Sequence, residues 1–221
     1  MRNDTEYILA SGSPRRKELL AKAGLEYRVL VSDADEDYPE GLKPEEIVKL
    51  LAGRKGHAVA ELLKKDPAEA AEFSKADGCA SVQNNIIKHI CVISADTIVV
   101  LDDRILGKPA DRKESEAMIR VLQGRDHHVW TGVQVLYLSA GDRSIEREIC
   151  FADCTAVHVV PMDDAAVKAY VDGGEGDDKA GAYAIQGDFA KYISGYDGDF
   201  DNVVGLPVTH LMEVLDSESK L

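Results

Sequence analysis

Tyr7-Ile8-Leu9-Ala10-Ser11-Gly12-Ser13-Pro14-Arg15-Arg16-Lys17-Glu18-Leu19-Leu20 passes from an apolar run into a helical pattern across three small residues. Tyr7 to Ala10 predicts a first strand. Ser13 is a good helix N-cap and Pro14 suits the first helical position. Leu19, Leu20 and Ala23 give the apolar stripe, and Gly24 stops the helix. A strand that feeds directly into a helix opens an α/β fold. Working outward, a second strand is expected at Tyr27 to Val31. A long helix then starts near Pro44 and carries Ile47, Val48, Leu51, Val59, Leu62 and Leu63 at helical spacing. Residues 66–88 have mixed composition and read as a solvent-facing excursion with a short helix at Ala68 to Phe73. Apolar runs follow around Ser94-Ala95-Asp96-Thr97, then a turn at Asp102-Asp103 and a helix from Lys113 to Leu122 closed by Gly124. His128 to Leu138 and Ser144 to Val160 flank Ala140-Gly141-Asp142 as a long antiparallel hairpin. A helix at Asp164 to Val171, a glycine-rich irregular stretch to Gly205 and a last helix led by Pro207 complete the chain.

The 221 residues suit one domain over 1–221 and contain no internal repeat. With 45% hydrophobic and 30% charged residues, the chain can bury a core under a charged surface. Forty acidic against 26 basic side chains give a net charge of −14. Binding to a nucleic acid polymer draws most of its affinity from phosphate neutralisation, so neither a nucleic acid polymer nor an anionic membrane surface is an expected partner. The apolar stretches Ile90 to Ile93 and Ile98 to Leu101 are strand-sized, far below the ~20 residues of a spanning helix. No apolar signal-peptide core follows the polar N-terminus. Cys79, Cys91, Cys150 and Cys154 lack the spacing of a disulfide scaffold or a metal knuckle, so they read as structural thiols of a reduced, cytoplasmic protein.

Three segments carry chemistry. In the first, a helix N-terminus bears partial positive charge and unsatisfied N–H groups, yet its first turn holds Arg15 and Arg16. A bound phosphate would resolve that conflict, using the backbone, the Ser11 and Ser13 hydroxyls and the guanidinium forks together. Arginines that point into water or pair with some of the many acids are the alternative. In the second, Asp96 sits between apolar β-branched runs, where a carboxylate is costly unless it is paired, protonated or metal-bound. It could instead cap a turn between strands. Gly107-Lys108-Pro109 brings a lysine soon after, and an acid plus a lysine near a phosphate loop suggest metal-assisted phosphoryl chemistry. The third is Asp178-Lys179-Ala180-Gly181-Ala182-Tyr183-Ala184-Ile185-Gln186-Gly187, which ends in an amide able to read a base edge. A packed loop around a buried tyrosine is the plainer reading of it.

Together these segments resemble the Maf family of nucleotide pyrophosphatases, the septum-formation-associated proteins. The resemblance runs from Leu9 to about Leu215. It also takes in Asp35-Glu36, Leu51-Ala52 with Lys55, Leu106-Gly107-Lys108-Pro109, Gly124-Arg125 with His127, Thr131-Gly132-Val133 and Asn202-Val203-Val204-Gly205-Leu206-Pro207. It implies an elongated α/β domain with a bent, mixed sheet flanked by helices and two lobes around a central cleft, of the inosine-triphosphate-pyrophosphatase-like kind. It implies hydrolysis of a nucleoside triphosphate between its α and β phosphates. On that resemblance Asp96 is the proton acceptor, and Glu36 with Asp96 holds a divalent metal cation, Mg²⁺ or Mn²⁺. Arg16, Lys55 and Lys108 match the basic residues around the triphosphate. Arg15, Thr97 and Gln186 match the positions that separate subfamilies, and they look like the dTTP/UTP group. His127 matches a family histidine, although at a strand start it reads as a structural donor. His57, His89, His128, His158 and His210 show no ligand spacing. Departures are the excursion at 66–88, Gln123 before Gly124-Arg125, and the run Gly173-Gly174-Glu175-Gly176.

The leading expectation is therefore a housecleaning enzyme that takes a nucleoside triphosphate as partner. A nucleotide-binding regulator of septum formation with little turnover, and a pyrophosphatase of other base specificity such as 7-methyl-GTP, are the alternatives. Pairing as a homodimer is left open by the sequence.

Overall fold

The computed structural model describes residues 4–65 and 87–218. Its strands are β1 (Thr5–Leu9), β2 (Arg28–Val29), β3 (His89–Leu101), β4 (Arg104–Leu106), β5 (Asp126–Ser139), β6 (Ile145–Val159) and β7 (Ile193–Asp197). Its helices are α1 (Pro14–Lys22), α2 (Pro44–Lys65), α3 (Arg112–Leu122), α4 (Asp164–Gly173), α5 (Phe200–Val204) and α6 (Val208–Glu218). Short 3₁₀ turns lie at Ala180–Ala182 and Asp188–Tyr192. The seven strands form one sheet in the order β2-β1-β3-β5-β6-β7, with β4 paired to β3. It is mixed. β1 runs parallel to both β2 and β3, whereas β3–β4 and β6–β7 are antiparallel. Among the described residues, no helix is long and apolar enough to cross a membrane.

Local chemistry explains most element ends. Ser13 caps α1 by accepting the Arg16 N–H, and Pro14 stands in its first turn. Asp111 accepts the Glu114 N–H at the start of α3, while the Glu114 carboxylate accepts the Ala110 N–H in return. Gln123 ends α3, and its side-chain oxygen accepts the Met162 N–H at 3.0 Å, which gives this departure a structural use. The expected hairpin forms, with a tight turn closed by Ser139 N–H on Ser144 O at 3.0 Å.

The runs around Asp96 are one thirteen-residue strand, buried almost throughout, so Asp96 lies within β3 and the alternative of a turn cap falls away. Two expectations change. The second strand shrinks to two residues. The stretch before Gly205 is not irregular throughout, because it holds β7 and α5. The excursion and short helix expected at 66–88 lie outside the described residues, except Ile87 and Lys88. The Lys88 N–H bonds to Asp4 O at 2.9 Å, at the entrance to β3.

The chain divides into two compact units. One takes Met1–Asp96, Gly132–Ala152 and Val208–Leu221; the other takes Thr97–Thr131 and Asp153–Pro207. The first unit is built on Ile8, Val59, Leu63, Ile90, Val92, Leu136 and Leu138, a cluster that buries the inner face of α2 on β1, β3 and β5. That face comes unusually close. A Cβ on Gly132 of β5 would stand 2.4 Å from the Val48 carbonyl of α2, and one on Gly56 would stand 2.7 Å from Ser94 Oγ. The second unit packs α3 against α4 and gathers Tyr170, Tyr183 and Phe189, with ring centroids 4.9 to 5.0 Å apart about Phe189.

Candidate active site

Strand register brings the first two segments together. Leu9 pairs with Ile93 in the parallel β1–β3 ladder, and Ala10 N–H donates to Ile93 O at 2.7 Å. The Ser11–Ser13 turn therefore leaves β1 at the end toward which β3 continues to Asp96. In an open α/β sheet, this carboxyl end of parallel strands is where ligands bind. Ser94 and Asp96 share one face of β3, two residues apart, while Ala52, Lys55 and Gly56 share one face of α2. The two faces meet. Ser94 Oγ donates to Ala52 O at 2.7 Å, and Lys55 Nζ donates to Asp96 Oδ1 at 2.6 Å.

Lys55 reaches a second acid, Glu36 Oε1, at 2.8 Å. The Asp96 side chain is only 13% exposed, whereas the Glu36 side chain is 67% exposed, so the ammonium joins a largely buried carboxylate to one that faces water. The loop that carries Glu36 has no regular structure. It is held by Arg54, the neighbour of Lys55 on α2, whose guanidinium donates to the carbonyls of Asp35 and Asp37. Two successive residues of one helix thus fix this loop, one through its backbone and one through its acid. Arg54 was not expected from sequence; the only available signal was a second cation beside Lys55.

Arg16 belongs to the same group. Its Nη1 donates to Ser11 Oγ at 3.3 Å, and Ser11 Oγ also accepts the Ser13 N–H at 3.3 Å. Desolvation pulls the Arg16 guanidinium below its usual value and Arg15 adds to the fall; Asp96 and Glu36 act in the opposite sense. No acid stands in the first turn of α1. The conflict between helix N-terminus and arginines is thus real in the structure, and Ser11 is buried beside it. This unit gathers Ser11, Ser13, Arg15, Arg16, Glu36, Lys55 and Asp96: a positive helix end, three cations and two carboxylates.

Thr97, Lys108 and Gln186 lie in the other unit. Thr97 Oγ1 shares a hydrogen bond with Thr131 Oγ1 at 2.9 Å, and Thr131 Oγ1 donates to Asn202 O at 3.0 Å. The Asn202 amide in turn donates to Val129 O and Thr155 Oγ1. Thr97 is thus seated on a buried polar network. Lys108 is exposed on the segment after β4, where Gly107 O accepts the Gly181 N–H at 3.0 Å. Gln186 is exposed between buried Ile185 and the 3₁₀ turn at Asp188–Tyr192. His127 takes the structural part read for it. It is fully buried, its Nε2 stands 2.7 Å from the Tyr183 hydroxyl, and burial pulls its pKa down to about 4.

Among the described residues no three His, Cys, Asp or Glu side chains group as a metal cage. The carboxylates of Glu36 and Asp96 still fit a hard divalent cation. Mg²⁺ is typically held by one or two carboxylates, with water and substrate phosphates completing the shell. The shared Lys55 ammonium marks these two acids as a place where positive charge is held.

The sequence has close relatives. A protein of Pelotomaculum thermopropionicum named dTTP/UTP pyrophosphatase is 41% identical over 210 residues, 95% of each chain. Proteins of the same name from a Geobacillus species and from Desulforamulus reducens are 40% and 39% identical, over 92% and 94% of this chain and 93% and 94% of their own. The family of Maf-like proteins matches residues 6–218. That match takes in both units and every candidate site residue, and it establishes that the chain belongs to the Maf family.

Proposed function

We propose that this protein hydrolyses dTTP and UTP to the nucleoside monophosphate and pyrophosphate. The observation that carries the reading is the Glu36–Lys55–Asp96 bridge beside Arg16, a buried carboxylate held by a cation at the phosphate-binding end of the sheet. The names of relatives at 39 to 41% identity support the substrate class. The net charge of −14 favours a small anion met by a local cationic cluster over a polymeric one.

Asp96 accepts the proton of the attacking water. The water oxygen bonds to one phosphorus of the α–β anhydride and the bond from that phosphorus to the bridging oxygen breaks. The bridging oxygen and its charge leave with the other phosphate group, giving nucleoside monophosphate and pyrophosphate. Arg16 and Lys55 hold phosphate oxygens, and the Ser11 and Ser13 turn supplies hydroxyl and backbone N–H groups. As phosphate draws Lys55 away, the Asp96 oxygen it occupied becomes available to water. A divalent cation bound by Asp96 and Glu36 would neutralise phosphate charge and acidify the water. Gln186, with a donor and an acceptor on one amide, reads the carbonyl and N–H edge of thymine or uracil, and Thr97 of the same unit adds to the selection.

The test is pyrophosphate release from dTTP, UTP, CTP, GTP, ATP and 7-methyl-GTP with Mg²⁺ or Mn²⁺, before and after chelation. Preference for dTTP and UTP, lost on chelation and restored by metal, is expected. No release from any nucleotide overturns the enzyme reading, equal release from all overturns the base reading, and full activity after chelation overturns the metal.

A further inference from the structure

The glycine-rich run before the third segment has a specific use. Glu175 follows the left-handed Gly174 that ends α4, and its carboxylate turns back onto the chain after Gln186. Glu175 Oε1 accepts the Asp188 N–H at 2.7 Å, and Oε2 accepts the Phe189 N–H at 3.3 Å. These are the first two N–H groups of the 3₁₀ turn at Asp188–Tyr192, the groups a helix start leaves without internal partners. The carboxylate occupies space that only glycine leaves open: a Cβ on Gly187 would fall 1.7 Å from Glu175 Oε1. Glu175 is itself fixed, because Lys179 Nζ donates to its carbonyl at 2.6 Å. Phe189, which carries one of the two N–H groups, is fully buried against Tyr170 and Tyr183. The chain leaving Gln186 is therefore clamped on a carboxylate while the chain entering it is anchored by buried Ile185.

We propose that Glu175 is a positioning residue for base selection, fixing the place from which the Gln186 side chain extends through the backbone of Gly187, Asp188 and Phe189. This rests on the reading of Gln186 as the group that meets the base. A glutamine whose Cα shifts could move its amide to meet the edges of several bases, so selectivity gains from a backbone that does not move. A residue whose only service is to fold stability would lower the amount of active protein equally for every nucleotide.

The experiment compares wild type, Glu175→Gln, Glu175→Ala, Gln186→Ala and the double variant Glu175→Ala/Gln186→Ala, with kcat and KM for dTTP, UTP, CTP and GTP. Glu175→Ala should lower the dTTP-to-GTP ratio of kcat/KM by ~10-fold or more, the scale of lost outer-sphere support, through KM and with kcat within about two-fold. Glu175→Gln keeps one acceptor and should fall between; it also serves if the alanine variant fails to fold. In the Gln186→Ala background, Glu175→Ala should change the ratio no further. A selective wild type whose ratio survives in Glu175→Gln and Glu175→Ala, or effects that add in the double variant, overturns the proposal while the substrate reading stands. A wild type without base preference overturns both.

Discussion

A methyl group on Gly132 should disable the site from β5, a strand that bears no catalytic group. The added Cβ would meet the Val48 carbonyl carbon and oxygen at 2.4 Å and Lys49 N at 2.7 Å, all backbone. Ordinary contact begins near 3.4 Å, so α2 must retreat by about 1 Å, because backbone cannot rotate out of the way. Lys55 lies two turns further along the same helix, and its 2.6 Å bond to Asp96 and 2.8 Å bond to Glu36 are lost first. Overpacking of this kind costs ~1–3 kcal/mol. At roughly 2–4 °C per kcal/mol for a chain of this size, Tm should fall by about 2 to 12 °C. A 1 Å misplacement of a reacting or positioning group costs up to ~10²-fold in rate, so kcat/KM should drop further than the folded fraction does at 25 °C. Gly56→Ala, whose Cβ would stand 2.7 Å from Ser94 Oγ, should share both effects, softened because a hydroxyl can turn aside. Gly53→Ala is the control on the same helix. Its Cβ would meet Gln134 Oε1 at 3.7 Å, an ordinary contact, and helix propensity favours alanine by ~1 kcal/mol. Thermal denaturation and dTTP turnover of the three variants together decide the matter. Gly132→Ala as stable and active as Gly53→Ala would refute the claim that the close seat of α2 on the sheet sets the Lys55–Asp96 geometry.

Lys55→Met removes the ammonium shared by Asp96 and Glu36; kcat/KM for dTTP should fall ~10–100-fold, the worth of a charge-assisted hydrogen bond, as read in steady-state kinetics. His127 should impose a pH slope on stability. Unfolded, it takes a proton near 6.5; folded, only near 4, so as pH falls from 7 to 5 the unfolded state binds the extra proton and about 2 kcal/mol is lost. His127→Gln, which keeps a partner for the Tyr183 hydroxyl, should flatten that part of the profile in urea unfolding at pH 7 and pH 5.

Where the sequence carried local signals, the fold was legible. Ser13 with Pro14, Pro44, Gly124 and the Ala140-Gly141-Asp142 turn each state a boundary through capping or backbone preference, and the elements fall within a few residues of them. Asp96 stood out as a carboxylate among β-branched residues that needs a partner, but its partner did not, because Lys55 stands 41 residues away. The strand Ile193–Asp197 carries Gly195 and an irregular pairing near His158 and Val159, so it has no alternation to read, only a partner strand. Site residues with distinctive neighbours, such as Arg16 after Ser11-Gly12-Ser13 or Gln186 before Gly187, stood out. Arg54 and Glu175 did not, because each acts on backbone atoms of a distant segment, and a backbone acceptor or donor leaves no mark in composition.

The most direct measurement is single-turnover hydrolysis of dTTP by Asp96→Asn, beside equilibrium binding of the same nucleotide. The amide preserves the shape of the side chain but cannot take the proton of water, and loss of a general base costs ~10²–10⁴-fold. Release of pyrophosphate should fall by at least that factor while dTTP still binds through Arg16, Lys55 and the Ser11–Ser13 turn. A variant that retains more than about a tenth of the wild-type rate would contradict the assignment of Asp96 as the proton acceptor.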